Sequence, residues 1–180
     1  MKRMVQWITG LFSEKKEIIF EKEEIEKILP HRGRMLLLDR VRFSDGKAVG
    51  EFLVTDEVCE GHVIAGVPVM KGSDLCDMAA QLLGIMVHKE EEITSRLGDE
   101  KTLAALEYNG IVFKRRIRPG EKVLIETSTE VDYEERHGIL KITGGMFFVR
   151  VDSQDETEKK KIRVRIASVT LAPVSPTDMK

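Results

Sequence analysis

A histidine, several carboxylates and a group of glycines lie close together near the middle of this sequence. Gly61-His62 opens the loop GHVIAGVPVMKG, which runs directly into an apolar segment interrupted by Asp74, Asp77, Gln81 and His88. An imidazole titrates near neutral pH, so His62 is a candidate general base. An apolar surround favours the proton-bearing form of a carboxyl, and such an acid beside a neutral imidazole is a working acid/base pair. Asp77 is the candidate acid. Gly72-Ser73 marks a helix start, where the first N–H groups lack intrahelical acceptors and glycine lets a ligand approach closely. These parts suit the elimination of water from a β-hydroxyacyl thioester. The base removes the α-proton, the N–H groups meet the charge on the thioester oxygen, and the acid protonates the departing hydroxyl. Positioned acid and base groups contribute about 10²–10⁴-fold each, and one oxyanion donor about 10²–10³-fold.

The elements that must hold these groups can be read from periodicity. Leu75, Met78, Ala79, Ala80, Leu82, Leu83, Ile85, Met86 and Val87 are apolar over most of a helix running from Ser73 to about Glu92. A helix apolar nearly all round belongs in an interior. Asp74, Asp77, Gln81 and His88, spaced by three, four and seven, then share one stripe. By itself such a stripe also fits a face turned to solvent or to a second subunit. Upstream, EKEEIEKILP predicts a short helix stopped by Pro30, and MLLLDRVRF and KAVGEFLVT predict a hairpin around Ser44-Asp45-Gly46. Downstream, LAALEYNGIVF, KVLIETSTEV, ILKITGGMFFVRV and KIRVRIASVTL read as strands, with Val123, Ile125 and Thr127 on one face and Leu124, Glu126 and Ser128 on the other. The fold class is α+β, with an antiparallel sheet wrapped around one long central helix. Residues 1–16 predict a separate amphipathic extension, and 17–180 a single domain.

Composition narrows the partners. With 29 basic against 31 acidic side chains the net charge is −2, so no global attraction to nucleic acid is expected. No apolar run is long enough for a transmembrane segment. Cys59 and Cys76 make no disulfide framework, which fits a cytoplasmic protein. His88 and His137 lack companions at metal-ligand spacing, and neither a metal nor another cofactor is expected. His31 is expected to play a structural hydrogen-bonding part. The densest basic cluster, Lys114, Arg115, Arg116 and Arg118, is either a solvated strand edge or a docking patch.

Three ordered stretches resemble the β-hydroxyacyl-acyl carrier protein dehydratases of bacterial fatty-acid synthesis. They are Ile28-Leu29-Pro30-His31-Arg32 with Met35-Leu36-Leu37-Leu38-Asp39-Arg40-Val41, then Gly61-His62 with Pro68-Val69-Met70, Gly72, Asp77 and Gln81, then Val112-Phe113-Lys114-Arg115 with Pro119-Gly120. The resemblance implies the hot-dog fold, with His62 as catalytic histidine, Asp77 as catalytic acid, Gly72 as the oxyanion N–H and Gln81 as its polar neighbour. It also implies an acyl thioester substrate carried on acyl carrier protein, for whose acidic surface the 114–118 cluster would be the docking site. A homodimer, or an assembly of dimers, with histidine and acid from different protomers, is implied as well.

The sequence departs from the family pattern at several points. The stretch from His62 to Pro68 is one residue longer than usual, and Val63 and Ile64 replace an aromatic and a proline. Lys71 replaces a second proline, placing a cation beside the substrate site. Gly33 stands where a tunnel-gating tyrosine is usual, and Val58, Cys59 and Glu60 replace hydrophobic residues. These departures keep two alternatives in play: a non-catalytic acyl-thioester-binding module, and an acyl thioesterase.

Overall fold

A computed structural model describes residues 17–97, 102–136 and 139–174. The proposed extension at 1–16 and the turn at His137-Gly138 lie outside the described residues.

The chain opens with β1 (Ile18–Glu21) and α1 (Lys22–Ile28). A capping box starts α1, with Glu21 and Glu24 each bonding the other's backbone N–H, and Pro30 follows its end. A single 3₁₀ turn at Gly33–Met35 leads into β2 (Arg40–Ser44) and β3 (Lys47–Leu53). Asp45 and Gly46 both take positive φ, as a two-residue hairpin turn requires. Residues 36–39, read from sequence as part of the first strand, are irregular. Next come α2 (Asp56–Cys59), the small hairpin β4 (Val63–Ile64) and β5 (Val67–Pro68), and the long helix α3 (Gly72–Lys89). The helical signal to Glu92 divides at Glu90, and α4 (Glu91–Leu97) follows.

Then come β6 (Thr102–Asn109), β7 (Val112–Phe113), β8 (Lys122–Ser128), β9 (Val131–Arg136), β10 (Ile139–Gly144) and β11 (Phe147–Asp152). After the one-turn α5 (Glu156–Lys159), β12 (Val164–Ile166) and β13 (Ser168–Val174) close the fold. The strands form antiparallel sheets in the orders β1-β2-β3-β8-β11-β12-β7 and β6-β13-β10-β9.

Three runs that read as single strands are each broken in two, and the breaks turn one curved sheet into two segments. Gly110 separates β6 from β7 at φ +59°, and a Cβ there would lie 2.7 Å from Ala167 Cβ, which itself separates β12 from β13. Gly145-Met146 separates β10 from β11, and a Cβ on Gly144, the last residue of β10, would meet the Phe147 ring at 2.9 Å and Leu83 at 3.0 Å. These close approaches let the sheet fold onto α3.

The helix is the core. Met78, Ala79, Leu82, Leu83, Ile85 and Val87 have no exposed surface, and Val123, Ile125, Phe147, Val149, Val164 and Ile166 of the sheet are equally closed off. Each fully buried large aliphatic side chain contributes about 1.5–3 kcal/mol by leaving water. One stripe of α3 lies outside this apolar packing and borders a cleft, and Asp77, Gln81 and His88 lie on it.

Candidate active site

The base is held by local backbone structure. Thr55 caps α2, Val58 and Cys59 bury that helix against the core, and His62 N–H donates to the Cys59 carbonyl at 3.0 Å. The His62 carbonyl accepts from Val69 N–H at 3.0 Å, while His62 Nδ1 lies 2.9 Å from the Val69 carbonyl. A carbonyl can only accept, so Nδ1 carries a proton, and in the neutral ring the lone pair is then on Nε2. That is the tautomer a general base needs.

The longer loop does not disturb this arrangement. The residues between His62 and Val69 form a hairpin, Val63 opposite Pro68 and Ile64 opposite Val67, around Ala65-Gly66. Both turn residues have positive φ, 52° and 76°, so the added residue is absorbed in a two-residue turn that keeps His62 and Val69 opposed. Val58 and Cys59 still serve as buried anchors, at 8% and 1% exposure.

The acid lies on the polar stripe of α3. Asp77, Gln81, Gly84 and His88 all line a cleft of about 740 Å³, whose other walls include Leu29, His31, Leu103, Ala105, Tyr108 and Leu171. Asp77 also lines a second, smaller pocket with Lys71 and Asp74, towards the N-terminus of α3. The carboxyl thus stands where the two spaces meet. It is half-buried, and Oδ1 accepts a hydrogen bond from the Tyr108 hydroxyl at 3.0 Å. Burial, then the neighbouring Asp77 charge, hold the Tyr108 phenol well above its ordinary range, so it remains a donor. Burial pushes the Asp74 carboxyl up, and Lys71 opposes that shift.

Tyr108 was not singled out from the sequence, where it reads as one more strand residue. Its partner lies 31 positions away, and only the pairing of β6 with β13 brings it over α3. Replacing Tyr108 by Phe frees Oδ1 to turn. With Asp77 as the acid, kcat is expected to fall by about tenfold with KM little changed, the loss of the one hydrogen bond that orients the carboxyl. Steady-state kinetics on the variant checks this.

Other assignments shift in kind. Gln81 is 2% exposed, and its Oε1 accepts from Leu37 N–H while its Nε2 donates to the Met35 carbonyl, both at 2.8 Å. Its amide therefore clamps the irregular segment after the 3₁₀ turn onto α3, besides lining the cleft. His31 also differs from expectation at one nitrogen: its Nδ1 is buried with no hydrogen-bond partner among the described residues. Burial lowers its proton affinity, Asp77 raises it and Arg32 lowers it again. Gly33 takes φ +55°, a conformation that disfavours the tyrosine usual there. Gly72 is the first residue of α3, and a Cβ on it would meet the Phe113 ring at 2.7 Å. Lys71 is its N-cap residue and is exposed.

Lys114, Arg115, Arg116 and Arg118 are all exposed, in a segment laid beside the histidine loop. Arg116 donates to the Ile64 carbonyl at 3.4 Å, and Met70 N–H to the Ile117 carbonyl at 2.9 Å. Arg115 faces Glu158 at 3.7 Å. His62 lines neither of the two spaces that reach Asp77. Among the described residues no three His, Cys, Asp or Glu side chains cluster to hold a metal ion, and no helix is long and apolar enough to cross a membrane.

An antiparallel sheet closed on one helix, with a carboxylate on the helix at the end of a long cleft, defines the hot-dog dehydratase class. The chain belongs to the FabA-like domain family, whose match spans residues 29–154. It is 35% identical over 128 residues to a 3-hydroxyacyl-[acyl-carrier-protein] dehydratase FabZ of Caldanaerobacter subterraneus, covering 69% of this chain and 84% of that protein. A FabZ of Mannheimia succiniciproducens is 33% identical over 151 residues, covering 82% and 93%. Among solved structures, the dehydratase heterocomplex ApeI:P from Xenorhabdus doucetiae superposes with TM-score 0.58 at 14% identity, over 86% of this chain and 93% of that one. The dehydratase domain of the CurJ module of curacin polyketide synthase also gives 0.58, at 12% identity, over 89% and 50%.

Proposed function

We propose that this protein is a 3-hydroxyacyl-[acyl-carrier-protein] dehydratase of fatty-acid synthesis, with His62 as base and Asp77 as acid. The observation that carries the reading is the Asp77 carboxyl at one end of a long cleft, on a chain whose His62 ring is held through Nδ1–H by the Val69 carbonyl. His62 Nε2 takes the proton from C2 of the acyl chain. The charge that moves onto the thioester oxygen is met by the N–H of Gly72 at the start of α3, with the Lys71 ammonium nearby. Asp77 gives its proton to the C3 hydroxyl, which leaves as water, and the C2–C3 double bond forms. Tyr108 orients the carboxyl, and Gln81 fixes the wall behind it.

The base and acid meet across a homodimer. Among the described residues β6 and β7 are paired on one side only, and this edge exposes Leu106, Val112 and Phe113 at 53%, 38% and 54%. A long apolar strand edge is a template for pairing with another copy. Such a dimer supplies His62 of the partner subunit to each Asp77. The exposed cations at 114–118 border the histidine loop and suit the acidic surface of an acyl carrier protein. The protein acts in the cytoplasm as one domain from residue 17 onward.

The test is hydration of (E)-2-butenoyl thioesters by the purified protein. Enoyl absorbance is expected to fall without release of free thiol, and faster for the carrier-protein thioester than for the pantetheine thioester. That advantage shrinks as salt screens the basic cluster. Thiol release identifies a thioesterase instead, and binding without turnover identifies a non-catalytic module.

A further inference from the structure

The larger cleft has a direction as well as a volume. On α3 its lining residues are Asp77, Ala80, Gln81, Gly84, Val87 and His88, which recur at three- and four-residue spacing along a single stripe. Asp77 is at one end. Val87 and His88 stand at the other, beside Thr94 and Leu97 of α4. At the helical rise this stripe is about 16 Å long, room for roughly a dozen methylenes in extended form. The smaller pocket lies on the near side of Asp77, and on the far side the α3 stripe, faced by Leu29, Leu103 and Leu171, is a path for the apolar remainder of a substrate.

Gly84 lies two turns beyond Asp77, about 10 Å along that path. A Cβ built on it meets one atom, Leu29 Cδ2, at 3.0 Å. Leu29 is 8% exposed and forms part of the facing wall of the same cleft. The missing side chain therefore lets Leu29 sink against the helix backbone. Any substituent at position 84 either fills the passage itself or lifts Leu29 into it.

We infer that Gly84, with Leu29 resting on it, sets the acyl-chain length this protein accepts, and that the open passage past Gly84 admits medium and long 3-hydroxyacyl chains. The near half of the cleft, from Asp77 to Gln81, holds short chains in any case. Only chains of more than about eight methylenes beyond C3 need the space past Gly84. This inference rests on the proposed dehydratase activity.

The experiment compares hydration of (E)-2-butenoyl and (E)-2-hexadecenoyl thioesters of acyl carrier protein by the wild type and by Gly84→Ala, Gly84→Val and Gly84→Leu. The wild type is expected to turn over both substrates. Along the series the hexadecenoyl-to-butenoyl ratio of kcat/KM falls stepwise, by about 100-fold or more for leucine, as several methylenes lose their burial. Combining Gly84→Ala with Leu29→Ala returns the ratio towards wild type, because the displaced leucine is gone. The alanine variant carries the test if the leucine variant does not fold, since its single new contact is the end of a flexible side chain. An unchanged ratio in the alanine and valine variants, with butenoyl activity intact, overturns the inference, as does a wild type that rejects the hexadecenoyl substrate. No activity on either substrate in the wild type overturns instead the dehydratase reading beneath it.

Discussion

Replacing His62 by Ala is expected to lower kcat/KM for enoyl-thioester hydration by about 10³–10⁴-fold while leaving the fold in place. The size of the loss follows from what the ring supplies. Its Nε2 lone pair is the group proposed to take the C2 proton, and a positioned base contributes about 10²–10⁴-fold. The ring is also oriented in advance by the Nδ1 bond to the Val69 carbonyl at 2.9 Å, so the variant loses orientation together with basicity. The fold is spared for a separate reason. The loop is held by His62 N–H to Cys59 and by Val69 N–H to the His62 carbonyl, both at 3.0 Å, and these are backbone bonds that alanine keeps. His62 is only half-buried, so the variant leaves no closed cavity. Kinetics on the butenoyl substrate and a melting curve check the two halves together. A variant that melts like the wild type and still turns over at its rate removes His62 from the mechanism.

The features most legible in the sequence were those written in short-range periodicity. The apolar circumference of α3 and its polar stripe follow from residue spacing alone, and three of the four stripe residues, Asp77, Gln81 and His88, do line one cleft. The alternation of Val123, Ile125 and Thr127 likewise gave the buried face of β8. Features that depend on what approaches from elsewhere were not legible. LAALEYNGIVF reads as one strand because nothing local says that Ala167 will sit against Gly110. GHVIAGVPVMKG reads as an open loop because its two strands are two residues each, too short for a period-two signal. Tyr108 could not be tied to Asp77 by any spacing rule. Gln81 was recognisable as a polar residue on an apolar helix, but its engagement with Met35 and Leu37 spans more than forty positions. A buried amide needs partners, which was the one available hint that its role would include holding structure.

Asp77→Asn is expected to be as damaging as the loss of the histidine, and the two variants together locate the site. The substitution preserves shape, and an amide oxygen can still accept the Tyr108 hydrogen bond, so the wall of the cleft is undisturbed. What asparagine cannot do is give up a proton to the departing hydroxyl, and kcat falls by about 10²–10⁴-fold. In a two-fold dimer whose sites each draw on both protomers, a heterodimer of His62→Ala with Asp77→Asn has one site missing both groups and one site complete. Refolding an equal mixture makes about half the dimers mixed, so activity returns to about one quarter of wild type, although each variant alone is inactive. If base and acid belonged to the same protomer, every site in the mixture would lack one of them and activity would stay at the level of the single variants. The first outcome is the one the proposed dimer predicts, and two observations motivate it. His62 lines neither space that reaches Asp77 within one chain. The strand edge formed by β6 and β7, which carries Tyr108, is paired on one side only among the described residues and exposes Leu106 and Phe113. Substituting that edge offers a second test: in the proposed dimer, charge at Leu106 reduces the mixed dimer and the recovered activity in equal proportion, because there the edge that joins the protomers also completes the site.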